Sequence, residues 1–355
     1  MRPFKWKSAV SSSGNRNVTG CAQMTQMWTS QVARIVFYQA LHLAKSLLSY
    51  LGMNSRTQSL ADALVDVFGR PRVRFNEPLA RHCNWRVGGP ADLFLVVHTA
   101  DELVRALTIA SNNRHQPCLL GFGANVLVSD RGIRGMVILN RAHRIEFQPD
   151  GLVEADSGTN LAVLAKEAAK QGVAGLEFLV GIPGTVGAAV AVNAGTRTRW
   201  ISAVVERVRV FTRSGNLEWR LPEQLGFAYR HSKLKESGEV VITARLRGTP
   251  DQPKRIEARL REELQVRKSQ PTGPSAGSVF TNPPGDFAGR LIEACGLKGF
   301  QIGGARVSEM HANFILNTGN ATANHIKAVI EHVKAEVAER FGIELTEEIR
   351  YLGEW

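Results

Sequence analysis

Hydrophobic positions along the chain follow two periods. The runs LFLVV (93–97), GMVILN (135–140), VVERVRVFT (204–212) and VVITARL (240–246) are apolar and β-branched and bounded by polar or glycine residues, the signature of strands. Between them, apolar residues recur at helical spacing. LAVLAKEAAKQG (161–172) predicts a helix that Gly172 stops. Ile256, Leu260 and Leu264 predict another in IEARLREELQVRK, a short one follows at 287–295, and Ile326, Val329, Ile330, Val333, Val337 and Phe341 share one face of a last helix that Gly342 ends. The chain closes on a strand, IELTEEIRYL (343–352). Its alternation sets Ile343, Leu345, Ile349 and Tyr351 against Glu344, Thr346, Glu348 and Arg350, the latter on a solvent face. The sum is an α+β protein. Two prolines in GTPDQPKR (248–255) interrupt the pattern and predict a boundary between a 75–250 part and a 255–355 part.

Upstream the texture differs. Residues 1–60 hold seven bases and no acid, the first being Asp62. In ARIVFYQALHLAKSLLSYL (33–51), Arg34, His42, Lys45 and Ser49 share a sector opposite Val36, Ala40, Leu43, Leu47 and Leu51, so an amphipathic helix is expected. The span 1–59 reads as a basic extension, poorly ordered or amphipathic. It fits a membrane-surface helix, a targeting presequence, or sequence upstream of a true start at Met53; we take the last.

That extension also explains the charge. The formal net charge is +12, but outside residues 1–60 there remain 37 bases against 32 acids, an ordinary balance that gives no reason to expect nucleic acid as a partner. Cys21, Cys83, Cys118 and Cys295 are far apart with no C-x-x-C, which predicts neither a disulfide framework nor a zinc site and suits a reducing cytoplasm. No run reaches the roughly 18–20 apolar residues of a membrane span.

Five features carry chemistry. GFGANVLVSDRG (121–132) and GLEFLVGIPGTVGAAVAVNAG (175–195) are glycine-rich, and glycine lets successive N–H groups approach a phosphate closely. Neither is a dinucleotide fingerprint of the G-x-G-x-x-G type, since Val126 stands at the third glycine position, and no G-x-x-x-x-G-K-[ST] exists. Read on their own, tight turns and close packing account for them as well. Arg230 in YRHS offers a fork for a carboxylate or phosphate, or a solvated strand end. Ser278 in SAGSVFTNP sits in a turn without the G-x-S-x-G of a hydrolase. Glu348 lies in the closing strand, and His325 and His332 on the last helix read as surface residues, not metal ligands.

Taken in order, NWRVGGPADLF (84–94), GFGANVLVSD (121–130), GLEFLVGIPGTVGAAVAVNAG (175–195), FAYRHS (227–232), PSAGSVFTNP (274–283) and LTEEIRYLG (345–353) resemble the UDP-N-acetylenolpyruvoylglucosamine reductase (MurB) family, from about Phe75 to Gly353. The resemblance implies a cytoplasmic, monomeric enzyme of bacterial peptidoglycan synthesis that binds FAD without a covalent link. It also implies a two-subdomain flavin module over 75–250, similar to vanillyl-alcohol oxidases, and a substrate domain over 255–355. NADPH and a UDP-sugar would share one site, and no metal is required. It implies FAD contacts from Gly121, Gly123, Ala124, Asn125, Gly181, Ile182, Pro183, Gly184, Gly187, Asn193 and Gly195. Ser278 becomes the proton donor, with Arg230 and Glu348 acting on the substrate carboxyl group, while Tyr229, Arg230, Lys268, Gln270 and Asn282 bind substrate. The absence of tyrosine between Tyr229 and Tyr351 points to the branch lacking an inserted tyrosine loop, leaving Arg267, Lys268 and Gln270 as candidates for the substrate phosphates. A covalent-flavin oxidase on the same scaffold is the alternative, with His82 or Cys83 as tether.

Overall fold

Asn54 starts the first helix, its side chain accepting the Thr57 N–H at 2.9 Å, and α1 (Ser55–Phe68) buries Leu60, Ala61 and Leu64 completely. The span 1–59 expected to lie outside the fold therefore ends too late, because a capped amphipathic helix begins within it. The computed structural model describes residues 53–355 apart from Arg197, Ser269 and the side chain of Val266; the amphipathic stretch 33–51 and Cys21 lie outside the described residues.

Strands β1 (Val73–Pro78), β2 (Pro90–Val97), β3 (Cys118–Leu120), β4 (Val126–Val128) and β5 (Ile133–Asn140) follow, with α2 (Ala100–Asn112) between β2 and β3. Four of them form a sheet in the order β1-β2-β5-β3, antiparallel at β1–β2 and parallel elsewhere, while β4 is left out. Its core holds Leu79, Phe94, Val137 and Leu139.

The second sheet is wholly antiparallel. It contains β6 (Ile145–Phe147), β7 (Leu152–Asp156), β8 (Val205–Phe211), β9 (Leu217–Arg220) and β10 (Val240–Arg247) in the order β9-β8-β10-β7-β6. Helices α3 (Leu161–Lys170) and α4 (Val186–Val192) contribute Leu164, Ala168 and Val190 to its core. Pro253 opens α5 (Pro253–Arg267), where its missing N–H costs nothing. Ile256 and Leu260 of α5 are buried in this same core, and Arg259 joins Glu177 and Asp251 at 2.7 Å each. The chain therefore changes core after α5, not at 248–255, because Pro250 pairs with Val173 and Pro253 starts a helix that folds back onto the preceding sheet. Leu264, third in the apolar series, is 39% exposed.

The last core is built from α6 (Ala288–Ala294), an antiparallel meander of β11 (Gln301–Ile302), β12 (Ala305–Val307) and β13 (Ile315–Asn317), and α7 (Ala323–Phe341). Ile326, Val329, Ile330, Val333 and Val337 face inward as the periodicity requires. Residues from far upstream enter the same core. Trp85 is fully buried in it, donating from Nε1 to Ile315 O at 2.8 Å while its own carbonyl accepts from Asn317 Nδ2 at 2.8 Å. Asp130 caps α7, taking the N–H groups of Ala323 and Asn324 at 2.8 and 3.0 Å.

The closing strand is shorter than its alternation predicts. Only β14 (Arg350–Leu352) is a strand, parallel to β4 in the register Arg350↔Val126 to Leu352↔Val128. Upstream, the segment bonds instead to the loop around Ser278, through Thr281 N to Thr346 O and Glu348 N to Val279 O at 2.9 and 2.7 Å. Its partner changes at Glu348, which prevents one continuous ladder. No helix among the described residues is long and apolar enough to cross a membrane.

Trp85→Ala should cost about 3–5 kcal/mol, from the cavity and from the Ile315 carbonyl left without its donor. Urea unfolding followed by far-ultraviolet circular dichroism checks this; a loss below about 1 kcal/mol would show that Trp85 does not tie the two ends together.

Candidate active site

Of the three polar residues expected to work together, Arg230 and Glu348 meet from distant segments, and the backbone of Glu348 bonds to the residue after Ser278. Glu348 is fixed through its backbone: its N–H donates to Val279 O, next to Ser278, and its carbonyl accepts from Asn125 Nδ2 at 3.1 Å. Its side chain is 19% exposed, against the solvent face expected for it, because the segment runs beneath the serine loop. Arg230 Nε stands 3.0 Å from Glu348 Oε1. That nitrogen is buried and its N–H is not aligned with the carboxylate, so the contact is an ion pair and not a hydrogen bond. Burial pushes the Glu348 carboxyl above its ordinary range, while Arg230 and Lys235 pull it back.

The loop carrying Arg230 is strained and held. Arg230 has φ +54°, left-handed backbone that non-glycine residues rarely adopt. Ala228 and His231 exchange backbone hydrogen bonds across it at 3.1 and 3.2 Å. Asn193 Nδ2 donates to Ala228 O at 2.9 Å, Arg230 Nη1 to Gly195 O at 3.2 Å, and Ser232 Oγ to Ala191 O at 2.7 Å. Asn193 and Gly195, expected at the cofactor, thus brace the arginine loop through these contacts. Tyr229 is 52% exposed, its ring 5.7 Å from the Arg230 guanidinium.

Ser278 is aligned by a residue that sequence reasoning missed. Buried Asn313 accepts the Phe280 N–H at 2.9 Å and donates to Phe280 O at 2.8 Å, and its own carbonyl accepts from Val279 N at 2.9 Å. One asparagine side chain thus substitutes for a paired strand. Asn282 does not join Ser278; it is exposed and its Oδ1 accepts the Ala288 N–H at 3.1 Å, capping the start of α6. Lys268 is exposed and Gln270 half-buried.

The two glycine-rich segments lie against each other. A Cβ on Gly121 would fall 2.9 Å from Thr185 Oγ1. Gly123 has φ +61° and no room for a side chain, its Cβ position lying 2.3 Å from His82 O. Gly187 is packed on Ser157 in the same way. Gly184 is different: φ +140° demands glycine, and nothing lies within 4 Å of a Cβ there, so the backbone is open to a ligand. Gly181 faces the Arg267 side chain, Ile182 packs on the second core, Pro183 is exposed and Ala124 half-buried. Asn125, expected at the cofactor, spends its side-chain amide on Glu348 O and its carbonyl on the Arg350 N–H. The open cradle at Gly184 and the neighbouring guanidinium of Arg267 suit an anionic dinucleotide such as FAD.

Both candidate flavin tethers are engaged with or buried among the protein's own residues. His82 Nε2 is 2.8 Å from Glu77 Oε1 with its ring stacked on Phe94, and burial pushes the Cys83 thiol up to about 12. His325 Nδ1 accepts from Thr322 N and Gly304 N at 3.3 and 3.4 Å, and His332 stacks on Phe300. Among the described residues no group of His, Cys, Asp and Glu is arranged to hold a metal ion.

Residues 91–219 match the FAD binding domain family, and residues 269–352 match the C-terminal domain of UDP-N-acetylenolpyruvoylglucosamine reductase. The chain is 45% identical over 284 residues to the UDP-N-acetylenolpyruvoylglucosamine reductase of Methylococcus capsulatus, covering 79% of this chain and 92% of that one. It is 44% identical over 285 residues to the enzyme of that name from Moorella thermoacetica, covering 80% and 94%. The crystal structure of UDP-N-acetylenolpyruvylglucosamine reductase (MurB) from Thermus caldophilus aligns with a TM-score of 0.68 at 36% identity, over 79% of this chain and 98% of that chain. With Arg230 and Glu348 paired at the edge of the Ser278 loop, and relatives matched over nearly their whole length, the chain belongs to the UDP-N-acetylenolpyruvoylglucosamine reductase family.

Proposed function

We propose that this protein reduces UDP-N-acetylenolpyruvoylglucosamine to UDP-N-acetylmuramate, with NADPH as electron donor and Ser278 as proton donor. The observation that carries the reading is the ion pair of Arg230 with Glu348 at the edge of the Ser278 loop, in a chain of this family. What FAD supplies when bound is a two-electron relay from NADPH to the enolpyruvyl double bond, the two substrates taking turns in one site.

Reduction of that bond builds negative charge on the carbon beside the substrate carboxylate, so the protein must stabilise an enolate and deliver a proton. Arg230 is suited to the first task, because its guanidinium has N–H groups beyond those that face Glu348 and Gly195, and a carboxylate oxygen accepts from such a fork. Glu348 would oppose the enolate if charged. Burial already favours its neutral form, and a substrate carboxylate that draws on Arg230 removes part of what favours the anion. A neutral Glu348 donates a hydrogen bond to the carboxyl group where charge accumulates. Ser278 is a weak acid and transfers its proton as the carbanion forms, from a loop whose backbone Asn313 braces at Phe280.

Ser278→Ala should leave the reduction of the flavin by NADPH unchanged and slow its reoxidation by substrate by roughly 10²–10⁴. Stopped-flow absorbance resolves the two half-reactions, and equal slowing of both would remove the proton-donor role. For Glu348 the sign is set by its raised carboxyl. The working neutral form persists above the ordinary carboxylate range, so the rate of reoxidation should be level at low pH and fall as pH rises through that raised value. Glu348→Gln keeps a donor and cannot ionise, so its pH profile should lose this fall. A glutamine variant that keeps it would assign the titration to another group. Asn313→Ala, which strips both Phe280 bonds, should lower stability by about 1–3 kcal/mol and slow reoxidation more than flavin reduction.

A further inference from the structure

The left-handed backbone at Arg230 persists only if its surroundings hold it, and the loop that follows α4 supplies two of the contacts that do so. Asn193, itself left-handed at φ +46°, ends α4 and uses both ends of its amide. Its Oδ1 accepts the Ser202 N–H at 3.2 Å and its Nδ2 donates to Ala228 O at 2.9 Å. Gly195 O accepts from Arg230 Nη1 at 3.2 Å. The loop closes on itself: Gly195 and Trp200 form an antiparallel bridge, Thr196 N donates to Arg199 O at 2.8 Å, and Ile201 N donates to Ala194 O at 2.9 Å. Ile201 is fully buried in the second core, so the base of the loop is fixed.

Trp200 sets where Gly195 can sit. A Cβ on Gly195 would fall 2.6 Å from Trp200 Cδ1 and 2.3 Å from Arg199 O, so the indole lies directly against the glycine backbone. The indole N–H contributes nothing to this, because Nε1 is buried with no acceptor among the described residues. A buried donor left unpaired costs stability, so the side chain serves this position through its shape. The ring rests on Gly195, and the carbonyl of Gly195 directs Arg230, whose Nε stands 3.0 Å from Glu348 Oε1. Direct contacts thus run from the second core through Trp200 and Gly195 to the pair of Arg230 and Glu348.

We propose that Trp200 is a positioning residue for the reduction: packed on Gly195, it holds the Gly195 carbonyl where it aims the Arg230 guanidinium between Glu348 and the substrate carboxyl group. This role rests on the assignment of Arg230 and Glu348 to that carboxyl group. Arg230 and Lys235 both favour the charged form of Glu348. The neighbouring Glu347 is paired with Lys334 at 2.9 Å, and His231 faces Glu236 at 3.7 Å. An Arg230 released from its place therefore lets the Glu348 carboxyl rise further, a change that loop stability alone does not produce.

The test compares Trp200→Ala, Trp200→Phe and Arg230→Gln in the flavin-loaded enzyme, with the two half-reactions resolved by stopped flow. Trp200→Ala should slow reoxidation by substrate by roughly 10–10² and leave flavin reduction by NADPH within about twofold. The fall of its reoxidation rate with pH should move to higher pH, because Glu348 then holds its proton longer, and should vanish when Glu348→Gln is added. Trp200→Phe keeps a ring on Gly195 and discards only the unpaired N–H, so its rate should stay within about threefold of the unsubstituted enzyme. A Trp200→Ala enzyme that keeps its reoxidation rate, is equally slow in both half-reactions, or is slow with its pH profile unmoved would overturn the proposal. So would a Trp200→Phe enzyme as slow as the alanine variant. Should Trp200→Ala fail to fold, Trp200→Leu takes its place with the same expectations and the same grounds for rejection. Arg230→Gln separates the two readings. If it leaves reoxidation unchanged, the assignment of Arg230 itself fails, whereas a slow Arg230→Gln beside an unaffected Trp200→Ala strikes only the role of Trp200.

Discussion

The arrangement depends on how residues 345–352 are shared between two neighbours. Their first half bonds to the loop of Ser278, their second half pairs with β4, and Glu348 sits where the partner changes. A residue at such a switch has its backbone fixed from both sides. Its side chain leaves the ladder and projects toward Arg230. Asn125 completes the join by bonding to the segment on either side of Ile349. The same stretch, GFGANVLVSD, therefore serves the glycine-rich cradle at one end and anchors the C-terminal core at the other, where Asp130 caps α7.

Much of this was legible in the chain. Helices α3, α5, α6 and α7 and the longer strands follow from period and stop signals, because each buries one apolar face in a single core. What was not legible depends on partners far away in sequence. The strand expected over 343–352 has the right alternation, and Leu345 and Ile349 are buried accordingly, yet alternation carries no information about which partner a strand meets. The prolines at 250 and 253 read as a break, but a proline is equally at home in the first turn of a helix, and the apolar face of α5 decided which sheet it joined. Asn313 gave no signal, since a lone asparagine between alanine and phenylalanine resembles any turn residue until its two bonds to Phe280 are seen.

The glycines divide in an instructive way. Gly121, Gly123 and Gly187 are surrounded by the protein's own atoms, so their lack of a side chain serves packing. Within these two segments Gly184 is the one with open surroundings. A motif read as one cofactor cradle is thus two structures superposed in sequence: a tight internal seam that brings two segments together, and a short stretch of backbone left bare at its edge. The seam explains why the arginine loop depends on Asn193 and Gly195, which belong to the motif by position and to the catalytic group by contact.

The pairing of β4 with β14 joins residues 126–128 to 350–352, segments far apart in the chain. Bringing together segments so far apart in sequence costs more chain entropy than local pairing does. Glu348 is placed by this same contact. The two larger sheets and the glycine-rich seam contain no residue of this segment and can form without it, whereas the ion pair of Arg230 with Glu348 cannot.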